Sequence, residues 1–202
     1  MEEKLEAKIV MHNGQRVNWN KSFSSYGYRL SEVISAVVKE MRRGKEEESV
    51  FWAYQMMISG KKAEEFLWQR FRIFTIEDIG LANPQSLIYV ASAKDLYYSI
   101  AEKEFDRYSV GACTAVYLSR NPKTRYTHEM LQDVEDMLHE GSLNPEIPDY
   151  AMDIHLPHAR AMGRDMLHYL TEASVLANED ISFSRKYKDR LIERARIEKE
   201  KK

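Results

Sequence analysis

The chain has 202 residues, 44% hydrophobic and 11% aromatic, enough to bury one good core with appended tails. Thirty basic and 32 acidic side chains leave a formal charge of -2, so no global positive field would hold nucleic acid or an anionic membrane. The single cysteine, Cys113, excludes an intramolecular disulfide framework and a cysteine-rich zinc knuckle. It points to a reducing, cytoplasmic location, and no apolar run is long enough for a signal peptide or a membrane span.

Residues 7–19 read differently from the rest. Ile9, Val10 and Met11 precede Asn13-Gly14, and Val17 and Trp19 follow, which predicts a small β-hairpin or an ordered arm. From Tyr26 the period becomes helical. Leu30, Val33, Ile34, Val37, Val38 and Met41 share one face before Gly44 stops the helix. A second helix begins near Glu46, carries Val50, Phe51, Tyr54, Met57 and Ile58 inward, and ends at Gly60. A third runs from Ala63 through Phe66, Leu67, Phe71 and Phe74.

Asn83-Pro84 predicts a helix start, with Asn as cap and Pro in the first turn, over residues 84–102. Asp106 is expected to cap the fifth helix, whose Ser109, Gly111, Ala112 and Ala115 would let a neighbour approach closely. There Cys113 reads as a small buried hydrophobe rather than a thiolate. A sixth helix covers residues 126–140, and three of the five prolines make residues 141–157 an irregular connection. One further helix is expected over residues 158–173, then a charged helical tail from Ser184. The fold class is therefore all-α, a compact bundle of six to seven helices. The expected divisions are residues 1–20 as arm, 21–176 as helical domain and 177–202 as charged tail.

At residues 71–84 the sequence reads FRIFTIEDIGLANP. Its EDIGLANP resembles the EDIGLADP signature that follows the ATPase core in the RarA/MgsA/Werner-helicase-interacting-protein family of AAA+ ATPases. AKDLYY at 93–98 is similar to that family's AKDAYE, and AVYLSRNPKT at 115–124 to its VVYLALAPKS, in the same order. The resemblance covers residues 26–130. It implies the clamp-loader-collar-like helical region through which these ATPases associate, a homotetramer, and a link to DNA replication and recombination with DNA or a AAA+ ATPase as partner.

Two departures stand out: Asn83 replaces the signature's Asp, and no GxxxxGK[ST] phosphate loop occurs, so ATP hydrolysis is not carried over and no cofactor is expected. The signature itself reads as a turn: Glu77 and Asp78 end a helix, Gly80 takes positive φ, and Asn83-Pro84 restarts the chain. Acids at a helix C-terminus are unfavourable on dipole grounds, so Glu77 or Asp78 is expected to reach a basic partner such as Arg70 or Arg72, or the N-terminus of the next helix.

The densest polar stretch is residues 155–168. On one helix Arg160, Arg164 and His168 would form a stripe, and with Lys123 and Arg125 the two arginines could bind phosphate or DNA; alternatively they pair with Asp133, Glu135, Asp149 or Asp153. His155, His158, Asp165 and His168 are the right donors for a metal-dependent phosphohydrolase, but the chain has no His-Asp dipeptide. The sequence thus favours a non-catalytic oligomerisation and interaction module over an enzyme.

Overall fold

The computed structural model describes residues 11–12, 15–16 and 21–201. Met11–His12 (β1) and Gln15–Arg16 (β2) pair antiparallel, Met11 opposite Arg16 and His12 opposite Gln15, as a hairpin requires. The Asn13-Gly14 turn and the other residues of the expected arm lie outside the described residues. The other described residues are helical or irregular apart from one isolated bridge between Phe23 and Arg29, and the chain divides into two compact units, Met1–Glu140 and Gly141–Lys202.

The first unit is a bundle. Helix α1, Leu30–Arg42, buries the six apolar residues its period places on one face. It packs on α2, Glu46–Met57, which also lies against α5, Phe105–Arg120. Flanked on two sides, α2 buries Ala53, Met56 and Met57, while Phe51 and Tyr54 stay partly exposed. The face expected for α2 is therefore rotated. Phe51 meets the rings of Trp52 and Tyr28 edge-on, and Tyr54 meets that of Tyr108. Small residues let α5 approach: a Cβ on Gly111 would strike Met57 Sδ, and Ala115 is fully buried.

Helix α3, Lys61–Phe74, contributes Leu67, Trp68, Phe71 and Phe74 to the same core, and α4, Ser86–Ser99, adds Val90 and Tyr97. Each such side chain contributes roughly 1.5–3 kcal/mol on burial. Helix α6, Tyr126–Glu140, has no fully buried residue and touches the bundle at the turns that follow α3. Three local expectations fail here. The α4 helix starts at Ser86 without a side-chain cap, and α5 starts after Glu104 with Asp106 inside its first turn. Cys113 is exposed, its Sγ 3.5 Å from the Tyr89 hydroxyl.

In the second unit the single helix expected over 158–173 is broken. Helix α7, Pro157–Ala161, stops before Gly163, whose φ of +89° leaves the helical region, and Asp165 is extended. Helix α8, Met166–His168, then runs into a π-helical turn, Tyr169–Ala173. Helix α9, Lys186–Glu200, packs on α8 and this turn through Ala195 and Ile192's side of the helix, and Lys199 pairs with Asp165 at 3.1 Å.

Candidate functional site

The turn after α3 is where the sequence signature becomes geometry. Instead of stopping, the helix widens into a π-helical turn, Thr75–Ile79, which carries Asp78 inward until it is 1% exposed. A carboxylate so placed needs cations. Two arrive from distant segments. Arg42, at the end of α1, donates through Nε to Oδ1 at 2.6 Å and through Nη2 to Oδ2 at 3.1 Å. Arg125, just before α6, donates through Nη1 to Oδ1 at 2.7 Å. Glu77 lies 3.9 Å from Arg42. The acids thus find cations as dipole reasoning requires, but neither is Arg70 or Arg72.

Gly80 closes the turn at φ +50° and ψ -132°, a region that only glycine enters freely. An added Cβ would come 3.1 Å from the carbonyl oxygen of Thr124. Asn83 works sideways rather than as a cap: its Nδ2 donates to Asn121 Oδ1 at 2.6 Å and reaches the Tyr117 hydroxyl at 3.3 Å. Asn121 Nδ2 in turn donates to the Tyr117 carbonyl at 2.7 Å. Pro84 sits in the turn between Asn83 and α4, spanned by the Ser86 N–H to Asn83 carbonyl bond. Segments 71–84 and 115–124 therefore pack on one another through Asn83 and Gly80, and the Asp78–Arg125 bridge adds the residue that follows. Sequence reasoning missed Arg42, which lies on a segment with no visible link to the turn, and Asn121, whose segment the resemblance had marked but whose side chain it had not.

The third segment surrounds a second buried charge. Glu64 of α3 and Arg107 of α5, 7% and 4% exposed, meet at 2.7 Å. The Tyr97 hydroxyl donates to the other Glu64 oxygen at 3.0 Å, and Arg107 donates to the Ile100 carbonyl at 3.0 Å. The guanidinium lies over the rings of Tyr97 and Tyr98, 4.5 and 5.1 Å from their centroids. Burial pushes the Tyr98 hydroxyl up to about 12, and that of Tyr97 higher still.

The expected phosphate patch is occupied by internal partners. Lys123 Nζ donates to the carbonyls of Ser119 and Asn121 at 2.6 and 2.9 Å, and burial pulls its pKa below the usual lysine value. Arg125 is held by Asp78. In the other unit Arg160 donates to the Ile154 carbonyl at 2.8 Å and Arg164 pairs with Asp149. With the helix broken at Gly163, Arg160, Arg164 and His168 do not form the four-residue stripe. The Arg164–Asp149 pair is one of the alternatives that the sequence offered.

The histidines are likewise placed. His155 Nδ1 is 3.1 Å from both oxygens of Asp153, whose carboxyl is held below its ordinary range by hydrogen bonding from His155. Asp165 caps α8, accepting from the His168 N–H at 2.9 Å, and this bond lowers its pKa. His158 is exposed. Among the described residues no three His, Cys, Asp or Glu side chains converge as a metal ion requires. No described helix is long and apolar enough to cross a membrane.

What these features define is a helical module built around an ion-locked turn, of the class that follows the motor core in AAA+ proteins. Residues 45–193 match the family described as MgsA AAA+ ATPase C terminal, and the chain belongs to that family. It is also 24% identical over 150 residues to replication-associated recombination protein A of Haemophilus influenzae (strain ATCC 51907 / DSM 11121 / KW20 / Rd), covering 74% of this chain. The chain spans only about a third of that relative's length, 32%. The family match falls on the helical region C-terminal to a AAA+ core and not on the core itself.

Proposed function

We propose that this chain is a non-catalytic oligomerisation and interaction module of the replication and recombination machinery, self-associating as a tetramer and engaging a AAA+ ATPase or DNA in the cytoplasm. The observation that carries the reading is the family match over 45–193, a region that supplies most of the helical core and has no phosphate loop in its sequence. Surface composition supports association. Leu131 and Leu138 on α6, Leu81 beside the ion-locked turn, and Ile181 and Phe183 in the second unit are all more than half exposed. The buried charges Asp78, Glu64 and Arg107 are each paired inside the bundle, which fits a role in holding its elements together.

Light scattering of the purified chain, alone and with short single-stranded and forked DNA, tests this reading. A stable tetramer whose mass rises with DNA at low salt and falls back at high salt is the expected result. A monomer indifferent to DNA overturns it.

A further inference from the structure

Two helices, one in each unit, present faces of opposite charge. On α6, Met130, Leu131 and Leu138 are 46%, 64% and 55% exposed and form a stripe with half-buried Val134. Asp133, Asp136 and Glu140 border it on one side at three- and four-residue spacing, and Glu135 borders it on the other. The helix contains no Lys or Arg. Among the described residues none of these four acids makes an ion pair.

On α9 Tyr187 and Leu191 stand two turns and one turn before Ala195 and are 65% and 48% exposed; Arg190 and Arg194 flank them, in line with Lys186 at four-residue spacing. Among the described residues Arg190 and Arg194 make no ion pair. Glu198 is the acid on that side, so the face is basic and apolar where that of α6 is acidic and apolar.

Pairing α6 with a second α6 would bring carboxylates together, and pairing α9 with a second α9 would oppose cations. The complementary pairing is heterotypic. We infer that α9 of one copy of this chain docks on α6 of a second copy, its Tyr187 and Leu191 covering the Met130, Leu131 and Leu138 stripe. Arg190 and Arg194 then lie against the acidic borders. The inference rests on the self-association proposed above and adds its geometry. Apolar burial supplies the affinity, and the charges select the partner. The contact is head-to-tail, so the tetramer proposed above requires its rotation to close into a ring.

The test uses three full-length variants: Asp133→Lys, Glu135→Lys and Glu140→Lys together on α6; Lys186→Glu, Arg190→Glu and Arg194→Glu together on α9; and all six at once. Every position is exposed, and circular dichroism checks the helix content. By light scattering each triple variant is expected to need at least tenfold more protein than the unaltered chain to associate. An equimolar mixture of the two triples, and the six-fold variant alone, are expected to regain association.

Triples that associate like the unaltered chain overturn this interface and leave the self-association reading standing. A monomeric unaltered chain overturns both. Folded, monomeric triples that do not re-associate on mixing overturn α9 of a second copy as the occupant of α6.

Discussion

Replacing Arg107 with Met isolates the energetics of the buried charge. The substitution keeps an unbranched side chain of similar length but strands Glu64, 7% exposed, with the Tyr97 hydroxyl at 3.0 Å as its remaining hydrogen-bond donor. It also removes the guanidinium from over two tyrosine rings and leaves the Ile100 carbonyl without its donor. Breaking one side of a buried pair costs about 3–5 kcal/mol. For a chain of this size that lowers Tm by about 10 °C, at roughly 2–4 °C per kcal/mol.

Removing both charges, as Glu64→Leu with Arg107→Met, abolishes the uncompensated carboxylate. Tyr97 still loses its acceptor, at a cost of about 1–2 kcal/mol. The double variant is therefore expected to be more stable than Arg107→Met alone. Urea melts followed by tryptophan fluorescence report on this region, because Trp68 lies 5.1 Å from the Tyr97 ring. A loss below ~1 kcal/mol for Arg107→Met, or a double variant whose loss equals the sum of the singles, refutes the reasoning.

Gly80→Ala is expected to cost about 1–3 kcal/mol in the same melts, from the positive φ together with the approach to the Thr124 carbonyl. Asn83→Asp places a carboxylate 2.6 Å from Asn121 Oδ1, an acceptor facing an acceptor, and Asn121 cannot flip without releasing the Tyr117 carbonyl. We expect a loss of about 1–3 kcal/mol, recovered when Asn121 is also changed to Ala. Tyr98 binds its proton more tightly in the folded chain, with a pKa of about 12 against 10.0 for an exposed tyrosine. Its contribution to stability is complete below pH 10 and is lost as pH rises through about 12. Ultraviolet titration should show late-ionising tyrosine absorbance appearing together with unfolding.

Much of the bundle was legible because apolar residues recur at helical spacing. The α1 face is the clearest case, since all six residues named from its period are buried. The hairpin pairing followed from Asn-Gly in the same way. The Glu64–Arg107 pair escaped because charge is ordinarily read as solvent-facing, yet a signal was present. Glu64 stands three and four residues before Leu67 and Trp68, and Arg107 stands four before Gly111, so both occupy core positions. The rotated α2 face was not legible, because a helix gripped from two sides buries residues beyond a single stripe: Ala53 and Met56 go inward with Met57, while Phe51 and Tyr54 stay at the margin. Residues 158–173 misled because His, Arg and Met are all tolerable helix formers, and Gly163 with an extended Asp165 was needed to show the break. The partners of Asp78 lie 36 and 47 residues away, beyond the reach of local pattern.

That separation has a kinetic side. The bond from Arg42 to Asp78 cannot form until the chain between α1 and the π-helical turn has closed on itself, and the Arg125 bridge must await a still longer loop. If the lock closes only after the bundle has collapsed, Asp78→Asn is expected to raise the unfolding rate more than it lowers the folding rate, which stopped-flow urea kinetics would read. Asp78 would then act as a latch on lifetime, setting how long the junction between the bundle and α6 survives once made.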